Sequence, residues 1–118
     1  MKNMKKIRSN VFETNSSSTH SITMVETEKY NDWINDKCFF IPDSEQFIYI
    51  SKEKRDSELI EKCKEYEYLT IEDFMKDDPY IIPLSNAEWF DYIVNDNYED
   101  FYAEYKEITA FGYYGNNY

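Results

Sequence analysis

The sequence predicts an α+β fold, a small antiparallel sheet with three or four helices packed on it. Three observations lead there. Segments near both ends alternate apolar and polar side chains with the period of two expected of strands. Between them, Ser51, Thr70 and Ser85 each precede a stretch with apolar residues at helical spacing, where a hydroxyl can cap a helix. The 118 residues hold only 2 Gly and 3 Pro, with no repeat, low-complexity block or linker, which fits one domain over residues 1–118 with a modest core.

The elements follow in chain order. Residues 7–12 read as a short strand. Residues 21–25 read as a second, with Ile22 and Met24 on one side and Thr23 and Val25 on the other. The pair would flank the polar run between them like a hairpin, with Phe12 and Ile22 as buried anchors. Thr27 can cap a short helix carrying Tyr30, Trp33 and Ile34 on one face. Residues 38–41 and 47–50 are brief apolar runs around Pro42-Asp43-Ser44, hence two strands and a turn. Ser51 opens the best helix, with Leu59, Ile60, Cys63 and Tyr66 or Glu67 on its apolar face. Thr70-x-x-Asp73 caps a helix bearing Phe74 and Met75, and Pro79 and Pro83 bracket an extended link. Ser85-x-x-Glu88 is a capping box ahead of Trp89, Phe90, Ile93 and Val94. Residues 98–105 fit either a helix face or an aromatic-rich strand. Residues 107–114 alternate as a last strand, stopped at Gly115.

Candidate chemistry concentrates in residues 7–21, where serines, threonines and asparagines surround Glu13 and the one histidine of the chain, His20. Ser17, His20 and Glu13 supply the residue types of a nucleophile, its base and an orienting carboxylate. No nucleophile-elbow glycines flank the serine, and three such residues on one loop rarely meet in that geometry. The same hydroxyls beside Arg8 also suit a phosphate. The simpler reading is a turn whose side chains bond their own backbone.

Arg8 to Ser21, Arg-Ser-Asn-Val-Phe-Glu-Thr-Asn-Ser-Ser-Ser-Thr-His-Ser, resembles the opening signature of a family of phage proteins of Gram-positive bacteria. That signature reads basic-x-Asn-Val-Phe-Glu-Thr-Asn-Ser-Ser-Ser-x-His-Ser. The family has no activity to carry over, so the resemblance implies a phage or prophage source and no mechanism.

Charge says more about partners. Thirteen Lys and Arg stand against 24 Asp and Glu, a net of −11. Lys2, Lys5, Lys6 and Arg8 hold four of the positive charges in the first eight residues. From Asn86 onward, Glu88, Asp91, Asp96, Glu99, Asp100, Glu104 and Glu107 face Lys106 alone. Such a chain repels nucleic acid and anionic membranes and attracts a basic protein groove. No apolar run is long enough to span a bilayer. Cys38 and Cys63, far apart and with one His in the chain, make zinc improbable and suit free thiols in a reducing cytosol. The paired acids lack the alternating ligands and turn glycine of a calcium loop. No cofactor is expected.

Tyrosines interleave the C-terminal acids. Tyr gives rigid contact area with a polar tip, and carboxylates pair with Lys and Arg. Asp91, Asp96, Tyr98, Glu99, Asp100, Tyr102 and Glu104 are therefore the candidate partner-binding residues. The expectation is a cytoplasmic, non-enzymatic inhibitor of anti-CRISPR type. It would block a host protein, such as a CRISPR effector, at a basic nucleic-acid groove by charge mimicry.

Overall fold

A computed structural model describes residues 5–8 and 18–116 of the chain. The fold is α+β, as the sequence predicts, and it divides into two compact units. One comprises Met1–Asn31 with Val94–Tyr118, and the other is Asp32–Ile93.

The first unit is built on a four-stranded antiparallel sheet in the order β1-β2-β6-β5. These strands are β1 (Lys5–Arg8), β2 (Ser18–Glu26), β5 (Glu99–Tyr105) and β6 (Ile108–Asn116). The hairpin-like pairing of the two N-terminal segments is present, with Ile7 opposite Ile22. Strand β2 begins at Ser18, earlier than expected, because Ser18, Thr19 and His20 find ladder partners in Asn116, Gly115 and Tyr114. Gly115 therefore lies within β6 and does not end it.

Alternation decides which side chains of the sheet are buried. Thr23 and Val25 of β2 and Thr109, Phe111 and Tyr113 of β6 form the buried face. Ile22, expected as a buried anchor, is only half-buried because it points to the opposite face. Phe12 lies outside the described residues. Helix α1 (Thr27–Ile34) follows β2 directly, and its Tyr30 ring packs on Phe111 at 5.2 Å between centroids. Thr27 is the first helical residue, its hydroxyl bonded to that of Thr109 at 2.8 Å. Ile34, grouped with Tyr30 and Trp33 by the sequence, stays 44% exposed. At Gly112, a Cβ would collide with the Ser21 carbonyl oxygen, so the close approach of β2 and β6 requires glycine there.

The second unit centres on aromatic packing. Trp33 sits 5.2 Å from Phe40 and 5.6 Å from Trp89, and its indole N–H donates to the Leu84 carbonyl at 3.0 Å. Strands β3 (Phe39–Ile41) and β4 (Gln46–Ile48) form a separate antiparallel ladder, with the turn residues 42–45 between them. Leu84 bridges to Phe40 along its margin. Ser51 caps α2 (Lys52–Glu65) and Thr70 caps α3 (Ile71–Asp77), each accepting from the backbone N–H three residues on. Leu59 and Cys63 are buried as their spacing predicts, while Ile60 remains 43% exposed. Residues 79–81, expected to be extended, instead wind into a 3₁₀ turn with Pro79 as its first residue, a position that needs no N–H. The Ser85–Glu88 capping box opens α4 (Asn86–Trp89), which runs on into a π-helical turn at Phe90–Val94.

Candidate protein-binding surface

Strand β5 holds most of the sequence-predicted binding residues. It is the end strand of the sheet, and among the described residues it pairs only with β6. Six of its seven residues are exposed and Phe101 is half-buried. An antiparallel strand advances about 3.4 Å per residue, so residues two apart on one face lie roughly 7 Å apart. Asp100, Tyr102 and Glu104 share the side of Tyr113, Phe111 and Thr109, their partners in β6. Glu99 points to the other side, opposite Tyr114, together with Phe101, Ala103 and Tyr105. The acids of β5 thus flank the strand on both faces.

Tyrosines hold two of these carboxylates. The Tyr102 hydroxyl donates to Glu104 at 2.7 Å, and the Tyr114 hydroxyl donates to Glu99 at 3.0 Å. Each bond favours the protonated phenol, so both hydroxyls are held above the ordinary tyrosine value. Tyr102 also meets the Tyr30 ring at 5.4 Å. Burial comes first, then the charges of Tyr102 and Asp100, in raising the Tyr30 hydroxyl. Among the described residues, Glu99, Asp100 and Glu104 make no ion pair. Lys106, at the hairpin turn with φ 57°, lies over the Tyr105 ring at 5.3 Å.

The other predicted binding residues are more dispersed. Asp96 is exposed in the turn where the Asn97 N–H donates to the Asn95 side chain. Tyr98 packs on Tyr113 at 4.9 Å and is half-buried, so it supports the sheet more than it offers a contact. Asp91 is exposed in the π-helical turn and belongs to the other compact unit.

Of the candidate catalytic residues, Glu13 and Ser17 lie outside the described residues. His20 is exposed in β2, its ring stacked with Tyr114 at 6.5 Å and 21° between planes. Among the described residues, no group of three or more His, Cys, Asp or Glu is placed to hold a metal ion, and no helix is long and apolar enough to cross a membrane. A concavity of about 130 Å³ in the second unit is lined by Ile41, Ile48, Leu59, Ile82 and Pro83 with charged groups at its margin. It is small beside the roughly 300–1,000 Å³ of ordinary ligand pockets.

Sequence reasoning missed a charged cluster in the second unit. Arg55, only 3% exposed, forks onto Glu88 through two 2.9 Å bonds and donates to the Pro83 carbonyl at 2.7 Å and to Asp56 at 3.0 Å. Its guanidinium also lies 4.7 Å from the centre of the Phe39 ring. Burial pulls the Arg55 pKa down, but the bonds and charges of Glu88 and Asp56 outweigh it and leave it raised. Burial raises Glu88, and Arg55 with the Ser85 cap more than reverses that, leaving its carboxyl below the ordinary value. Every polar atom of this cluster is engaged within the fold, which marks it as structural. No protein-family model, curated protein or solved structure matches this chain.

Proposed function

We propose that the protein is a phage-encoded acidic inhibitor that occupies a basic nucleic-acid groove on a host defence protein, a CRISPR effector being one such target. The observation that carries this reading is β5, with three carboxylates and two well-exposed tyrosines in seven residues and no ion-pair partner among the described residues. Lysines and arginines that neutralise phosphates find carboxylates there to pair with. The exposed rings, Tyr102 at 49% and Tyr105 at 73%, add apolar area and surfaces on which a guanidinium can stack. The phage source rests on the resemblance of residues 8–21, and the class of target on charge. Action in the host cytoplasm, without a cofactor, belongs to the same proposal.

A displacement experiment tests it. A host nucleic-acid-binding protein captured by this chain is loaded with labelled nucleic acid, and the chain is titrated in at several salt concentrations. The expected result is release of the nucleic acid, weakening as salt rises. The double reversal Asp100→Lys/Glu104→Lys should abolish release. A ternary complex of target, nucleic acid and this protein would overturn the proposal, as would direct binding of nucleic acid by the chain.

A further inference from the structure

We infer that β5 receives its target as a strand: an extended, Lys- or Arg-bearing segment of the partner pairs with the open edge and continues the sheet as a fifth strand. This rests on the acidic-inhibitor reading and names how that surface engages its target.

Ladder bonds alternate along an antiparallel pair, so every second residue of an end strand turns its N–H and C=O away from its neighbour. With β6 on one side and no described strand on the other, β5 presents such a row over seven residues. A row of this kind is a template for an added strand. Six of the seven residues are exposed, so an extended segment can reach the edge from either face.

Side-chain placement then selects the occupant. Glu99 lies on one face of the sheet, and Asp100 and Glu104 on the other. A strand laid beside β5 therefore meets carboxylates on both faces, wherever its own basic residues point. Pairing of β5 with β5 of a second copy would set acids near acids, an arrangement that disfavours self-association. The sheet's other end strand, β1, carries Lys5, Lys6 and Arg8. A β1 strand from a second copy is the competing occupant, and charge reversal at Lys5 and Lys6 separates it from a foreign segment.

The test separates backbone pairing from charge. The probe is an end-capped seven-residue peptide of alternating Lys and Val, matched in length to β5. Its control is the same peptide N-methylated at every residue, equal in charge and unable to donate backbone hydrogen bonds. At low salt the parent peptide should bind and slow hydrogen exchange at alternate amides of β5, and N-methylation should weaken binding by about tenfold or more. Asp100→Lys/Glu104→Lys should abolish binding of the parent peptide. Equal binding of both peptides would overturn strand addition while leaving the acidic-inhibitor reading intact. Failure of the parent peptide to bind, or concentration-dependent assembly of the protein that Lys5→Glu/Lys6→Glu abolishes, would also overturn it. Failure of the nucleic-acid displacement experiment is a separate result and strikes the underlying reading instead.

Discussion

Carboxylates serve opposite purposes in the two compact units. In the Asp32–Ile93 unit, the half-buried Glu88 is held by the Arg55 fork and by the Ser85 backbone N–H within a capping box. In the sheet unit, Glu99, Asp100 and Glu104 stand exposed on an end strand, where tyrosines orient two of them and no described cation neutralises them. A buried carboxylate must be fully paired, because its desolvation is costly. An exposed one stays hydrated and contributes little to stability. Acidic residues of the same kind are thus engaged within the fold in one unit and left exposed in the other.

The largest effect should come from breaking the buried pair. Arg55→Met removes the fork and leaves Glu88 without its cation; loss of one partner costs about 3–5 kcal/mol in a fully buried pair and less here, because the Glu88 side chain is 26% exposed. Urea unfolding should show that loss, and adding Glu88→Gln should recover part of it, because the neutral amide no longer needs a cation. The pair also has a pH signature. The Glu88 carboxyl is held below its ordinary value, so its contribution is present above the unfolded-state pKa and disappears as pH falls through the folded-state value. Acid unfolding of Arg55→Met should show this component diminished, with only the Ser85 cap left to favour the carboxylate. A variant as stable as the parent would show that the pair is not structural.

The sheet unit should be most sensitive at its backbone. Gly112→Ala places a methyl group against the Ser21 carbonyl oxygen, and overpacking of this kind costs about 1–3 kcal/mol. Thermal unfolding measures it. A neutral result would mean that β2 and β6 separate locally at no cost, contrary to their continuous pairing from Ser18 to Glu26.

The same contrast explains what the sequence could convey. Caps are local, so Ser51, Thr70 and the Ser85–Glu88 box were legible and sit where spacing puts them. The α+β class was legible from periodicity. Arg55 was not, because among many charges on α2 nothing local distinguishes it. Its burial follows from Glu88, 33 residues away, and from the Phe39 ring. Residues 98–105 were ambiguous because their aromatic spacing suits both helix and strand, and pairing with β6 decides the matter. The acid-and-tyrosine cluster was visible as composition. Its division between two faces of an end strand was not, since that depends on register. Asp91 was grouped with β5 by sequence proximity, and the chain places it in the other unit.

Tyrosine titration should separate oriented carboxylates from merely exposed ones. Tyr68 donates to Asp78 at 2.9 Å, a bond that raises its hydroxyl to about 12. Tyr102 and Tyr114 are raised for the same reason by Glu104 and Glu99. A phenol raised in the folded state favours folding below its unfolded pKa, near 10, and loses that contribution as pH climbs through the folded value. The ultraviolet tyrosinate signal should therefore show a late-titrating group. Asp78→Ala should lower the Tyr68 value toward the ordinary range, with burial and the Asp77 charge retaining part of the rise. An unchanged titration curve in that variant would dissolve the link between hydroxyl and carboxylate.

The smallest effect on stability is expected where the largest effect on binding lies. Asp100→Lys/Glu104→Lys exchanges two exposed acids on β5 for cations. Glu104 loses its bond from Tyr102, but the phenol is then free to meet water, and both positions are exposed. Surface substitutions of this type usually change stability by no more than about 0.5 kcal/mol each. The new lysines also reduce the density of like charge along the strand, which opposes any loss. Thermal unfolding of the double variant should therefore stay close to the parent, while its capture of a basic partner collapses. If the variant instead unfolds as readily as Arg55→Met, the β5 acids are architectural, and the division of labour between the two units fails.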